Sequence, residues 1–175
     1  MSGRRVLVFG AGPAGLVAAI AASRGGAAVT LVEKTGTIGK KLSMTGNGRC
    51  NLTNRALAPE DYNFAARGRM ARWLPACGEA EIVLFFQSLG LLTRAEGDYV
   101  YPVSGEARSV TAALEAACAR YGVTVTTGAQ LKRITALAHG FSCAAGGGTW
   151  EADAVILATG GRSGPASCRA SGDAY

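Results

Sequence analysis

The chain has one histidine, His139, and it stands beside Gly140 in a segment that reads as a loop between strands. A Ser-His-Asp arrangement or a histidine metal centre therefore has almost nothing to build on. The five cysteines, Cys50, Cys77, Cys118, Cys143 and Cys168, are odd in number, far apart and include no C-x-x-C. That spacing offers neither a metal site nor a dithiol redox pair, and scattered free thiols suit a reducing cytoplasm. Charged residues make up only 17% and aromatics 7%, against 49% hydrophobic residues, which excludes a disordered, charge-extended chain. Long apolar runs are missing too. The stretch up to Ala22 is interrupted by three glycines and a proline, too broken to span a membrane. Arg4-Arg5 before it and Ala21-Ala22-Ser23 at its end imitate a secretory signal, but the same interruptions spoil the apolar core a signal needs.

What is present is alanine, 25 glycines and a modest positive charge of +6 over 175 residues. That length suits one ordinary domain with a real core, and the glycine content suits an α/β sheet with many tight turns. The positive balance would help attract an anionic dinucleotide. Arg67, Arg69 and Arg72 form a basic cluster without any helix-turn-helix, RNA-recognition or zinc pattern around it, so it reads as a solvated helix face and no nucleic-acid partner is expected.

Residues 4–33 carry the strongest signal. Val6-Leu7-Val8-Phe9 is a short apolar β-run that enters Gly10-Ala11-Gly12-Pro13-Ala14-Gly15, a G-x-G-x-x-G pattern, and Leu16 to Ala22 continues as an alanine-rich helix. Ala28 to Val32 is a second strand, ending in Glu33, 23 positions after Gly10. In such a unit the first glycine permits a tight turn, the second lets backbone approach a pyrophosphate, and the third lets helix pack on sheet. Pro13 fits the first helical turn, where its missing N–H is no loss. Phosphates would sit at the helix N-terminus, and Glu33 is spaced to take ribose hydroxyls. A turn that merely closes a βα unit competes for the same residues, but gives Gly12 no purpose.

Beyond Glu33 and Lys34, residues 36–54 are dense in Gly, Asn and Thr, favouring an ordered loop with left-handed positions, and carry Lys40, Lys41 and Arg49, suited to phosphates or a flavin ring. Residues 61–74 read as a weak helix and 79–89 as a better one, capped by Gly90. Leu91 to Tyr101 reads as a hairpin turning at Glu96-Gly97-Asp98. Arg108 to Tyr121 is an amphipathic helix with Val110, Leu114, Ala117, Cys118 and Tyr121 on one face and Gly122 as its stop. Val123 to Thr127 reads as a strand. Leu131–Leu137, Phe141–Ala145 and Thr149–Glu151 read as an antiparallel meander turning at Gly146-Gly147-Gly148, and Ala154 to Ala158 as a buried parallel strand.

The glycine turn with Glu33, the loop Gly39-Lys40-Lys41-Leu42 with Thr45-Gly46-Asn47-Gly48-Arg49-Cys50-Asn51-Leu52-Thr53-Asn54, the segment Tyr101-Pro102-Val103-Ser104, the strand end Ala158-Thr159-Gly160-Gly161 and the terminal Ser171-Gly172-Asp173-Ala174-Tyr175 follow one another in a known order. The chain resembles, over essentially its whole length, the bacterial NAD(P)/FAD-dependent oxidoreductases of the aminoacetone-oxidase-like and bile-acid-reductase-like kind. The resemblance implies a Rossmann-like FAD-binding α/β domain over residues 1–175, with FAD extended across the sheet. It assigns Gly10, Gly12, Ala14 and Gly15 to the pyrophosphate and Glu33 to the adenosine ribose, with Pro13 and Lys34 also among the cofactor-binding residues. Lys40, Lys41, Gly46, Asn47, Gly48, Arg49, Cys50 and Asn51 would line the phosphate-to-flavin stretch. The backbone at Leu131 would lie by the adenine, Ala158, Thr159 and Gly160 would pass close to the cofactor, and Asp173 would begin a flavin-proximal segment. Relatives continue with a substrate domain and a completing C-terminal segment, so the chain is expected to be the N-terminal part of such an enzyme.

The function this implies is hydride transfer between FAD and NAD(P)H or a small organic substrate, with no metal and no membrane partner. No residue stands out as a catalytic acid or base. Two other readings stay open: an NAD-binding Rossmann domain, since Glu33 suits either ribose and would repel the extra phosphate of NADP, and a truncated, inactive dinucleotide-binding module.

Overall fold

A computed structural model describes residues 3–161. In chain order the elements are β1 (Arg5–Phe9), α1 (Pro13–Arg24), β2 (Ala28–Val32), β3 (Thr53–Asn54), α2 (Phe64–Trp73), α3 (Glu79–Ser88), β4 (Thr93–Glu96), β5 (Tyr99–Pro102), α4 (Ala107–Arg120), β6 (Thr124–Thr126), β7 (Leu131–Ala136), β8 (Phe141–Ala145), β9 (Gly148–Ala152) and β10 (Ala154–Leu157). They divide between two compact units, one holding the chain up to Leu42 and from Leu114 onward, the other Ser43–Ala113.

The first unit is built on a four-stranded sheet of order β10-β1-β2-β6, parallel throughout, with Val8 in register with Leu31 on one side and Ile156 on the other. Val6 to Phe9 are all buried, as a strand covered on both faces requires. On one face α1 presents Leu16, Ala19 and Ile20, each 0% exposed. Fully burying a side chain the size of Leu16 or Ile20 stabilises by about 1.5–3 kcal/mol. On the other face Leu7, Phe9 and Val32 pack with Leu131, Cys143 and Ala145 of the antiparallel meander β7-β8-β9. The meander turns at Gly146 and Gly147, both at positive φ, as a two-residue hairpin loop demands.

The second unit holds the antiparallel sheet β3-β5-β4 with α2 and α3. Asn63 caps α2, its side-chain oxygen accepting from the Ala66 N–H. No residue of α2 is buried, which agrees with a solvated basic face, and Arg67 donates to the backbone carbonyls of Glu60 and Tyr62. Gly90, at φ +82, ends α3, with the N–H groups of Gly90 and Leu91 returning to the carbonyls of Gln87 and Phe86. α4 begins in this unit and ends in the first; Val110, Leu114, Ala117 and Cys118 of its apolar face are buried.

Two expectations need correction. β10 is parallel to β1 as expected, but it is not buried: Ala154 to Ile156 are half-buried and Leu157 is 47% exposed. Among the described strands it stands at the sheet edge, so only one side of it has a neighbour. The segment after Gly48 is also not loop throughout, since Thr53 and Asn54 form β3 by pairing with Val100 and Tyr99.

Candidate functional site

The three glycines of the turn have different reasons to be glycine. Gly10 has φ +100, and a Cβ there would run into the carbonyl of Ala158. A Cβ on Gly15 would overlap the carbonyl oxygen of Gly10 and press on the Ala158 side chain, so this glycine sets how closely α1 approaches β1. Gly12 differs from both. Its backbone (φ −76, ψ −178) is open to any residue, and a Cβ would meet nothing within 4 Å. Among the described residues, then, neither backbone strain nor packing requires glycine at position 12, and the space beside its Cα is open.

That space lies at the start of α1. Gly12 is the N-cap, no side chain caps the helix, and no acidic residue occupies the first turn. The first-turn N–H groups, including those of Ala14 and Gly15, have no intrahelical partner by helix geometry, and the positive end of the dipole adds to them. An anion is the natural complement. Pro13 and Ala14 are exposed and Gly15 is buried. Ala158 flanks the turn, its N–H donating to the Phe9 carbonyl at 2.8 Å, and Thr159 follows it beside Gly10. Gly160 is exposed at φ +77.

Glu33 links this turn to the end of β2. Its Oε2 accepts from the buried Ala11 N–H at 2.8 Å, and its Oε1 accepts from the N–H and the hydroxyl of Thr35, each at 2.9 Å. The carboxylate thus braces the glycine turn before any ligand arrives. The carbonyls of Glu33 and Thr35 in turn accept from the N–H groups of Ala129 and Gly128, which brings the chain just before Leu131 alongside. The Leu131 side chain is in the core, so only its backbone is available to a ligand. The Gly39 N–H donates to the Ala11 carbonyl at 2.8 Å, anchoring the loop that carries the exposed Lys40 and Lys41; Lys34 is exposed as well.

Gly46, Asn47, Gly48, Arg49, Cys50 and Asn51 belong to the second unit. Gly46, Asn47, Gly48 and Cys50 all have positive φ, matching the expected density of left-handed positions. Arg49 is not free for an anion. Its Nη2 contacts both carboxylate oxygens of Glu96 at 2.6 and 2.7 Å, and its guanidinium lies 4.2 Å above the Tyr101 ring centre. Arg94 also reaches Glu96 at 2.9 Å. The hydrogen bond from Arg49 holds the Glu96 carboxyl below its ordinary range, and the same bond raises Arg49. Cys50 is 1% exposed, and burial pushes its thiol up. Its sulfur faces the interior, so any ligand contact there is by backbone. Asp173 lies outside the described residues. Nothing in the sequence singled out Thr35, because a threonine three residues past the end of β2 carries no motif.

Among the described residues no cluster of His, Cys, Asp or Glu could hold a metal, and no helix is long and apolar enough to cross a membrane. The HI0933-like protein Rossmann domain family matches residues 4–175. The chain belongs to that family. Within 160 aligned residues it is 42% identical to the 3-dehydro-bile acid Δ4,6-reductase of Clostridium scindens, covering 90% of this chain and 39% of that protein. It is 27% identical over 172 residues to the ribosomal RNA dihydrouridine synthase of Haemophilus influenzae, covering 91% and 41%. Among solved structures, that of CtdE in complex with FAD superposes with a TM-score of 0.55 at 19% identity, covering 92% of this chain and 39% of that one, a likeness of fold. The HI0933-like chain thus spans about two fifths of the length of the curated relatives it matches.

Proposed function

We propose that residues 1–175 are the FAD-binding part of a flavin-dependent reductase. The observation that carries this reading is the empty space at Gly12, beside uncapped first-turn amides and within a turn braced by Glu33. These residues fit the adenosine diphosphate half of a dinucleotide. The amides of Ala14 and Gly15 would hold the pyrophosphate, Glu33 would accept from the ribose, and the backbone near Leu131 would flank the adenine. When bound, FAD supplies a ring that accepts and donates hydride. The chain's own residues position it, and none of the described side chains is assigned as acid or base. Lys40, Lys41, the Gly46–Asn51 segment and Asp173 enter the proposal through the sequence resemblance alone.

FAD is preferred to NAD because a fold relative holds FAD and because the lysine-glycine loop is part of the resemblance to FAD-dependent oxidoreductases. Of the two relatives, the one with the higher identity is a bile-acid reductase, which supports a small organic substrate over RNA, and NAD(P)H as electron donor enters through the sequence resemblance alone. Arg67, engaged with backbone carbonyls, adds nothing to an RNA reading. The free thiols of Cys50, Cys77, Cys118 and Cys143 accord with a cytoplasmic location. Titration of the purified protein with FAD and with NAD, followed by flavin fluorescence and by calorimetry, tests the assignment. Tighter binding of FAD is expected; preference for NAD, or binding of neither, overturns it.

A further inference from the structure

In the hairpin of the second unit, Arg94 on β4 lies opposite Tyr101 on β5, and Glu96 lies opposite Tyr99. Side chains alternate along a strand, so these four share one face, while Val100 is buried on the other. Arg49 reaches across that shared face. Its Nη2 is 2.6 and 2.7 Å from the two carboxylate oxygens of Glu96, and its guanidinium lies 4.2 Å from the Tyr101 ring centre. Arg94 holds the same carboxylate at 2.9 Å. The Tyr101 ring also borders Gly46, where an added Cβ would come 3.9 Å from its Cε1.

Arg49 belongs to a loop whose backbone is costly to hold. Gly46, Asn47, Gly48 and Cys50 all have positive φ, and for Asn47 and Cys50, which carry side chains, that conformation is strained. Two local bonds close the turn on itself, from the Arg49 N–H to the Gly46 carbonyl at 3.0 Å and from the Cys50 N–H to the Thr45 carbonyl at 3.1 Å. Just beyond, the Leu52 N–H donates to the Val100 carbonyl at 2.8 Å, which fixes the chain to β5. Cys50, at the end of the turn, is 1% exposed. We propose that Glu96 is a latch: by holding Arg49 against Tyr101 it keeps the 45–50 loop closed, and its release lets the loop open and expose Cys50 while the β4-β5 hairpin stays formed. The latch lies wholly within the second unit and does not rest on the dinucleotide reading. An exposed ion pair adds little to the stability of a whole domain. A loop that opens locally has a far smaller free energy to overcome, so the same pair changes its open population several-fold. Without the carboxylate, Arg49 and Arg94 are also left as neighbouring like charges.

Iodoacetamide labelling and hydrogen exchange of wild type and Glu96→Gln, both read by mass spectrometry, test the latch. When closing is fast, labelling of Cys50 follows the open population. It should run about fivefold or more faster in Glu96→Gln, the scale of a lost exposed ion pair with its cation–π contact. The β4-β5 amides, and buried Cys118 and Cys143, should stay as protected as in wild type. Wild-type labelling of Cys50 should also quicken as sodium chloride is raised from ~0.05 to ~1 M, because salt screens the pair. That response decides the question even if Glu96→Gln fails to fold. Unchanged Cys50 labelling in Glu96→Gln overturns the latch, as does wild-type labelling indifferent to salt. Labelling that rises together with exchange of the β4-β5 amides overturns it too, since the hairpin would then be loosening as a whole.

Discussion

Substituting the three glycines of the turn separates packing from ligand space. At Gly10, alanine must adopt φ +100 and also press on the Ala158 carbonyl. Backbone strain of this kind costs about 1–3 kcal/mol and overpacking about as much again, so Gly10→Ala should lose on the order of 3 kcal/mol or more. Gly15→Ala forces a methyl into the Gly10 carbonyl and should be similarly damaging, because helix and strand must part to admit it. Gly12→Ala meets neither obstacle. It loses a slightly better N-cap residue, a cost of about 1 kcal/mol or less, and regains part of that through a less flexible unfolded chain. Its melting temperature should stay within a few degrees of wild type, at about 2–4 °C per kcal/mol for a chain of this size. Its dinucleotide affinity should not. A methyl in the open space pushes the pyrophosphate off the first-turn amides, and losing two hydrogen bonds to a charged group amounts to about 3 kcal/mol or more, a hundredfold weaker binding. Thermal unfolding by circular dichroism and FAD titration by fluorescence read the two effects separately. Wild-type affinity in a folded Gly12→Ala protein would refute the pyrophosphate assignment, and unfolding of that variant would show that the glycine serves packing after all.

Glu33→Ala should show a double loss, since it removes the ribose acceptor and strips the buried Ala11 N–H of its partner. FAD binding should weaken about ten- to a hundredfold, and stability should fall by about 1–3 kcal/mol even without ligand; a variant as stable as wild type would contradict the bracing role. Asp153 is held below its ordinary pKa of 3.8 by the Arg5 N–H and, less strongly, by its guanidinium. A carboxyl lowered in the folded state contributes stability above its unfolded pKa and loses it as the pH falls through the folded one. Asp153→Asn should therefore melt lower than wild type at neutral pH and converge with it well below pH 3.8; a gap independent of pH would place the effect elsewhere. Among the described cysteines, exposed Cys77 should react with iodoacetamide in the native protein, while buried Cys50, Cys118 and Cys143, whose thiols burial pushes up, react only on unfolding. Peptide mass spectrometry resolves the order, and early labelling of Cys50 would mean that its loop opens.

Elements whose signals are local were legible in the chain itself. The apolar run of β1, the glycine stops at Gly90 and Gly122 and the Gly146-Gly147 hairpin turn lie where the pattern of residues puts them, because φ preferences and periodicity act between near neighbours. So does the whole βαβ unit, where a glycine motif, a helix and a terminal carboxylate reinforce one another within about thirty residues. Burial and hydrogen-bond partnership are different, because they depend on residues remote in sequence. Arg5 and Asp153, 148 positions apart, meet only once β10 pairs with β1, and the exposure of Leu157 follows from the place of that strand in the sheet. Arg49 looked like an anion ligand until its pairing with Glu96, 47 positions on, took up its charge. The same holds at the glycine turn. The spacing of Gly10, Gly12 and Gly15 marks a site, but which of them the protein needs for itself and which it leaves open depends on where Ala158 comes to rest. Thr35 became part of the site only when folding brought its hydroxyl against Glu33, since a side chain's acceptors and donors are assigned by three-dimensional neighbours and not by its place in the chain.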